Sequence, residues 1–134
     1  MKKSIGKLKK EAWKWFSKYI RLRDCLKTTK DHRYGVCVTC GKKYPINKLQ
    51  AGHFVPGRMN SILFDERNCH AQCVACNCFK GGSQIEYYQF MEKEYGREVI
   101  DELLEKKHQT RKFTAEELEE MIQTYKRKVE ELSC

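Results

Sequence analysis

Two short stretches, Cys37-Val38-Thr39-Cys40-Gly41 and Cys73-Val74-Ala75-Cys76-Asn77, flank a third, Ala51-Gly52-His53-Phe54, and the three together decide how this chain folds. In each flanking stretch two residues stand between the thiols. A tight turn with that spacing brings both sulfurs to one tetrahedral Zn²⁺ at about 2.3 Å, so two such turns predict a closed Cys₄ site from Cys37, Cys40, Cys73 and Cys76. Gly41 is free to take the positive φ that lets backbone N–H groups point at the sulfurs. Such a clamp matters for what it holds together, which here is the segment carrying His53.

Outward from the cysteine turns, Leu49 to Val55 has the pattern of a short strand, broken into a loop by Pro56-Gly57-Arg58. Ser61 to Phe64 is apolar enough to pack under that loop, and Asn68 to Cys73 reads as a second strand. A helix is expected from near Val74, with Asn77 and Lys80 on its first turns. The N-terminal segment predicts a helix over residues 6 to 25, because Leu8, Ala12, Trp15, Phe16, Tyr19 and Ile20 recur at three- and four-residue spacing. At that spacing the aromatic rings belong to the core rather than to a base-stacking surface. Residues 26 to 35 read as a loop.

Beyond Gly81-Gly82-Ser83 an apolar pattern from Ile85 to Tyr95 predicts another helix, ended by Gly96, and Val99 to Leu104 a shorter one. A basic linker, residues 106 to 112, precedes Thr114 and Glu117, which have capping-box spacing. Leu118, Met121, Ile122, Tyr125, Val129 and Leu132 then form a seam at near-heptad spacing that can pack internally or against a second copy. The expected fold is α+β within a single domain: a basic N-terminal helix and loop over 1–35, a small zinc-stabilised ββα core over 36–82, and C-terminal helices over 83–134.

A chain of 134 residues buries only a modest apolar core, so a structural metal would help it. The formal charge of +9 is concentrated: residues 1 to 34 carry 12 Lys/Arg against 3 Asp/Glu, whereas residues 83 to 134 carry 9 against 13. Such polarity fits a polyanion bound on one side, with nucleic acid as the expected partner. No window approaches the roughly 18 consecutive apolar residues of a membrane span. No apolar leader follows the basic start, so the eight cysteines are expected to be reduced thiols in the cytoplasm rather than a secreted disulfide framework.

A cysteine knuckle, a His near a strand end, an Asn before the second knuckle and an Asn directly after it make up the order of parts in the HNH (His-Me finger, ββα-metal) nucleases, which this chain resembles at those positions. With its flanks included, from Trp15-Phe16-Ser17-Lys18-Tyr19-Ile20-Arg21-Leu22-Arg23-Asp24 through Asp65-Glu66-Arg67-Asn68-Cys69-His70 to Tyr125-Lys126-Arg127-Lys128, it is similar to the NinG (Rap) family of lambdoid phage recombination endonucleases. The resemblance covers nearly the whole chain.

Phosphodiester hydrolysis needs an activated water, a counter-charge at phosphorus and help for the departing O3′. The resemblance implies His53 as general base, Asn77 as an oxygen ligand of a catalytic Mg²⁺ or Mn²⁺, and Asn68 as the residue that holds the loop and orients the base. Many HNH enzymes carry a second metal ligand just before the base, a position occupied here by Gly52. His70 is the first candidate to replace it and Asp65 the second. Arg58, Arg67 and Lys80 are candidates for contacts to DNA phosphates. Of the other thiols, Cys69 and Cys78 neighbour the second knuckle, while Cys25 and Cys134 read as ordinary.

The resemblance implies a structure-specific DNA endonuclease acting on branched recombination intermediates such as Holliday junctions and D-loops, leaving 5′-phosphate and 3′-hydroxyl ends. It implies a phage or prophage origin and work in the bacterial cytoplasm. Symmetric cutting of a four-way junction calls for two active sites, hence a homodimer, with the final helix as a candidate contact. Two alternatives stay open: an HNH nicking, homing or restriction-type nuclease on ordinary duplex, and a zinc-binding nucleic-acid module without catalysis.

Overall fold

The computed structural model describes residues 3–133. Helix α1 (Ile5–Thr29) starts on Ser4, whose hydroxyl accepts the Lys7 N–H, and ends at Lys30, which turns left-handed at φ 65°. It extends a turn beyond the expected boundary, and the Thr28 and Thr29 hydroxyls bond back to the carbonyls of Asp24 and Cys25. Strand β1 (Tyr34–Val36) then pairs antiparallel with β2 (Lys43–Pro45), and the first cysteine turn forms the loop between them. The sequence reading placed only loop and turn here. Three-residue strands are too short to show alternation, and this hairpin leans on α1 through Val36 N–H to Thr28 Oγ1.

The central hairpin pairs β3 (Leu49–His53) with β4 (Cys69–Cys73), in a register running from Leu49 opposite Cys73 to His53 opposite Cys69. Between them lie α2 (Asn60–Leu63) and a 3₁₀ turn over Glu66–Asn68. After β4 the expected helix shrinks to one wide π turn, Ala75–Phe79, closed by Lys80 N–H on Ala75 O at 2.9 Å. Gly81 and Gly82 follow at φ 58° and 87°, a left-handed pair that stops the helix. The chain continues through α3 (Gln84–Tyr95), α4 (Arg97–Lys106) and α5 (Ala115–Ser133). The capping box at α5 forms in both directions, Glu117 N–H to Thr114 Oγ1 and Thr114 N–H to Glu117 Oε1.

The result is an α+β arrangement of two small two-stranded sheets among five α-helices within the described residues. Apolar stripes decide its packing. Leu8 and Ala12 of α1 meet Leu118 and Ile122 of α5, and Phe16 sits edge-on to both Phe64 and Tyr125 at 5.5 and 5.1 Å. The α5 seam is therefore used inside the molecule, the first of the two packings its spacing allows: Leu118, Ile122 and Val129 are all buried against this chain's own residues. The outer edge of β4 is closed by α1 side chains. Asp24 Oδ2 accepts the Ala71 N–H at 2.7 Å, and the Arg23 guanidinium donates to Glu66 O and Cys69 O at 2.9 and 2.7 Å. Tyr87, Met91, Ile100 and Leu103 of α3 and α4 pack on Phe54, Val55 and Ile62. No helix among the described residues is long and apolar enough to cross a membrane.

Candidate functional site

The four cysteines expected to act together do converge: the sulfurs of Cys37, Cys40, Cys73 and Cys76 all lie within 4.8 Å of one another. A tetrahedral Zn²⁺ with about 2.3 Å bonds sets its sulfurs about 3.8 Å apart, and Cys40 and Cys73 stand at 3.9 Å. Gly41 takes φ 75°, as the turn requires. Burial alone would raise the Cys37 thiol, but the Thr39 hydroxyl and the N–H groups of Cys73, Cys40 and Thr39 outweigh it and bring it down to about 6. Burial and the neighbouring thiols push Cys40 up to about 12. The charge of a Cys37 thiolate thus disfavours ionisation of Cys40, a repulsion that a bound dication would relieve. The donor set could hold zinc. Cys69 is buried elsewhere, Cys25 is packed in the same apolar cluster without joining the four converging sulfurs, and Cys78 is exposed; Cys134 lies outside the described residues.

At the other end of β3, His53 is half-buried. Its Nε2 lies 3.1 Å from Leu63 O. Burial lowers its pKa below the usual histidine value, opposed by the Leu63 carbonyl and helped by the nearby Arg58 charge. A carbonyl can only accept, so the proton of the neutral ring sits on Nε2 and Nδ1 keeps its lone pair. The indole of Trp13 stacks on the imidazole at 5.1 Å and 22°. The Arg58 guanidinium lies over the same indole at 4.6 Å, brought there by two successive left-handed residues, Gly57 at φ 104° and Arg58 at φ 51°.

Strand alternation puts His53 and Ala51 on the face toward α1, and Gln50 and Gly52 on the opposite face. Asn77 stands on the latter side, donating its Nδ2 to Gln50 Oε1 at 2.8 Å. Its Oδ1 comes within 3.0 Å of where a Cβ on Gly52 would lie. The imidazole and the carboxamide thus stand on opposite faces of β3, whose other edge β4 leaves unpaired. A cleft along that edge is lined by Trp13, Ser17, Arg21, Gln50, Arg58 and Asn77. Among the described residues, neither Arg21 nor Arg58 has a carboxylate within ion-pairing distance. Burial depresses the Arg21 guanidinium, as expected for a cation held in a cleft without a counter-ion.

Asn68 is fully buried, and its carboxamide clamps Val55 from both sides: Oδ1 accepts the Val55 N–H at 2.8 Å and Nδ2 donates to Val55 O at 3.2 Å. It is a positioning residue for the loop that follows His53. His70 is corrected as a metal ligand. Tyr87 uses its one proton on Gly52 O at 2.7 Å, so it accepts from His70 Nδ1–H, and Tyr95 O–H donates to Nε2 at 2.8 Å. Neither ring nitrogen has a free lone pair. Asp65 is corrected too, since Arg67 and Lys106 pair with its nearly buried carboxylate. Arg67 also pairs with Glu102, which removes it from the phosphate candidates, whereas Lys80 is exposed at the end of the π turn. The sequence reading missed Trp13, Arg21, Gln50, Gln72 and Tyr87. Their parts depend on long-range placement, and no local motif marks them.

The model of the family described as Bacteriophage Lambda NinG protein matches residues 1–134. The chain belongs to the NinG family. It is 32% identical over 124 residues to Protein ninG of Escherichia phage 933W, and 31% identical over the same length to those of Salmonella phage P22 and Escherichia phage lambda. These matches take in 92% of this chain but only 56 to 57% of the NinG relatives, so the chain spans little more than half their length. No solved structure matches it.

Proposed function

We propose that this NinG-family chain is a metal-dependent DNA endonuclease of the HNH type, acting on branched recombination intermediates. One observation carries the reading: His53 is held neutral with Nε2–H on Leu63 O, which leaves Nδ1 as a base beside a cleft containing two unpaired arginines and Asn77. Arg21 and Arg58 hold a DNA phosphate at the edge of β3. Trp13 and the Leu63 carbonyl fix the imidazole plane, so that Nδ1 takes a proton from the attacking water. Asn77 Oδ1 offers a hard oxygen on the opposite face of the strand, suited to Mg²⁺ or Mn²⁺. When bound there, the cation supplies charge neutralisation at phosphorus and at the departing O3′. Cys37, Cys40, Cys73 and Cys76 hold Zn²⁺ and fasten the hairpin. Cutting both arms of a four-way junction needs two copies of the site, assembled through a surface other than the α5 seam.

The test is cleavage of matched four-way junction, fork and linear duplex by the zinc-loaded protein with Mg²⁺ or Mn²⁺, beside His53→Ala. Cleavage of the branched substrates, lost in His53→Ala with folding intact, is expected. Equal cutting of linear duplex moves the reading to a nuclease of ordinary DNA. Binding without any cutting leaves a nucleic-acid module and overturns catalysis.

A further inference from the structure

Gln72, on β4 directly opposite Gln50, is fully buried. Its Nε2 donates to Thr39 Oγ1 at 3.1 Å and to Gly82 O at 2.9 Å. The Gly82 carbonyl can only accept, so the carboxamide cannot be turned over without setting two oxygens against each other. Its Oε1 must therefore face β3, and there it meets no donor: it is one of two buried side-chain oxygens without a partner among the described residues. What it faces is Gly52. A Cβ at that position would fall 1.8 Å from Gln72 Oε1, so the oxygen occupies the space that a side chain at position 52 would fill. Asn77 Oδ1 lies 3.0 Å from the same point, its own Nδ2 already committed to Gln50.

Two acceptor oxygens converge on one spot, where Gly52 offers only an α-hydrogen and neither oxygen meets an N–H or O–H of the other. A buried carbonyl oxygen such as Gln72 Oε1 is rarely left so, because it forfeits its hydration without a replacement, whereas Asn77 Oδ1 opens on the cleft. A small hard cation resolves the conflict, since it takes lone pairs from both and completes its shell with water from the cleft. We infer that Gln72 Oε1 and Asn77 Oδ1 together hold the divalent cation, with β4 supplying across the hairpin the oxygen that Gly52 cannot supply. Glycine at position 52 is then a requirement of the site, because any Cβ displaces the ligand. The inference rests on the cation reading of Asn77 above and adds the second protein oxygen to it.

Binding of Mn²⁺ to the zinc-loaded protein, followed through the loss of the free-ion EPR signal, tests this without reference to cleavage. Gln72→Ala is expected to weaken Mn²⁺ binding at least about tenfold. Gly52→Ala, which keeps Gln72 but pushes its oxygen aside, should do the same. Because Gln72→Ala also loses two buried hydrogen bonds, zinc content and the unfolding temperature are followed in parallel. The double variant Gly52→Asp/Gln72→Ala moves the oxygen from β4 to β3 and should recover binding. If Gln72→Ala and Gly52→Ala both bind Mn²⁺ like the parent while Asn77→Ala does not, Gln72 is no ligand, its oxygen faces a buried water, and the Asn77 reading survives. A parent protein that takes up no Mn²⁺ overturns both.

Discussion

The β3–β4 hairpin is fastened differently at its two ends. Where Leu49 faces Cys73, four sulfurs from two sequence-local turns make one clamp. Where His53 faces Cys69, the fastening is a set of separate hydrogen bonds from residues scattered along the chain: Asn68 to Val55, Tyr87 to Gly52, Arg23 to Cys69 and His53 to Leu63. The first kind of joint would be all or nothing, because removing one thiolate would disable the whole shell of the ion the four could hold. The second can be degraded a bond at a time. Folding is entrusted to the former and aim to the latter, and the largest predicted effect therefore lies at the sulfur end. Apparent zinc binding in small domains is worth about 10–16 kcal/mol, comparable with the whole of about 5–15 kcal/mol of stability of a domain. Chelation, or Cys73→Ser, should abolish the cooperative thermal transition and the near-ultraviolet CD signal. A chelated protein that still melted cooperatively near the parent temperature would break the contrast.

At the aiming end the expected losses are partial. Asn68→Ala strands the N–H and C=O of Val55 in the interior, and two unmet buried groups cost about 2–4 kcal/mol together. Tyr87→Phe removes the donor to Gly52 O and the acceptor of His70, an effect of about 1–3 kcal/mol. Both variants should unfold cooperatively at reduced urea midpoints and retain full zinc, and zinc loss in either would mean that the two ends are coupled more tightly than the bonds imply.

The same division explains what the sequence discloses. The cysteine turns are legible because their chemistry is fixed by spacing within four residues. Helices α1, α3, α4 and α5 are legible because burial imposes a period on them. The β1–β2 hairpin is too short to show one, and the helix after β4 collapses to a π turn because Gly81 and Gly82 interrupt it. At the site, His53, Asn68 and Asn77 come from the order of parts. The fate of His70 could not be foreseen, because its partners Tyr87 and Tyr95 sit on a helix whose docking is decided by Met91 and Ile100. Gln72 was hidden for the same reason: an orphaned oxygen is a property of placement, with no sequence signature.

Acidity should separate the two histidines of the hairpin. Burial holds both His53 and His70 below the ordinary value of 6.5, His70 much the further, so the fold favours their neutral forms. Their contribution to stability is complete above pH 6.5 and is lost as pH falls from there through the folded-state values, where the native rings must at last take a proton. The unfolding temperature should decline below pH 6.5, and replacing His70 by Gln should flatten that decline more than replacing His53. On the proposed mechanism, which requires neutral His53, cleavage should keep its plateau through pH 7 and show its acid limb below 6.5. An acid limb above 7 would mean that the ring is solvated and the Leu63 bond is not formed.

The smallest effect is also the most discriminating, because it compares two arginines that sequence alone ranks alike. Arg58 and Arg67 both lie in the connection between β3 and β4, both beside motif residues. Arg67 is held by Asp65 and Glu102, and about a third of its side chain remains exposed. Solvent-exposed pairs of that kind contribute about 0–1 kcal/mol, so Arg67→Ala should shift the unfolding midpoint by little and leave DNA affinity unchanged. Arg58 has no carboxylate to satisfy it among the described residues and is held over Trp13, next to the His53 ring. A phosphate is the partner its cleft lacks. Arg58→Ala should weaken DNA binding and lower the slope of log affinity against log salt by about one. Equal slopes for the two variants would place the DNA on another surface, and the cleft at the edge of β3 would lose its claim to the scissile phosphate.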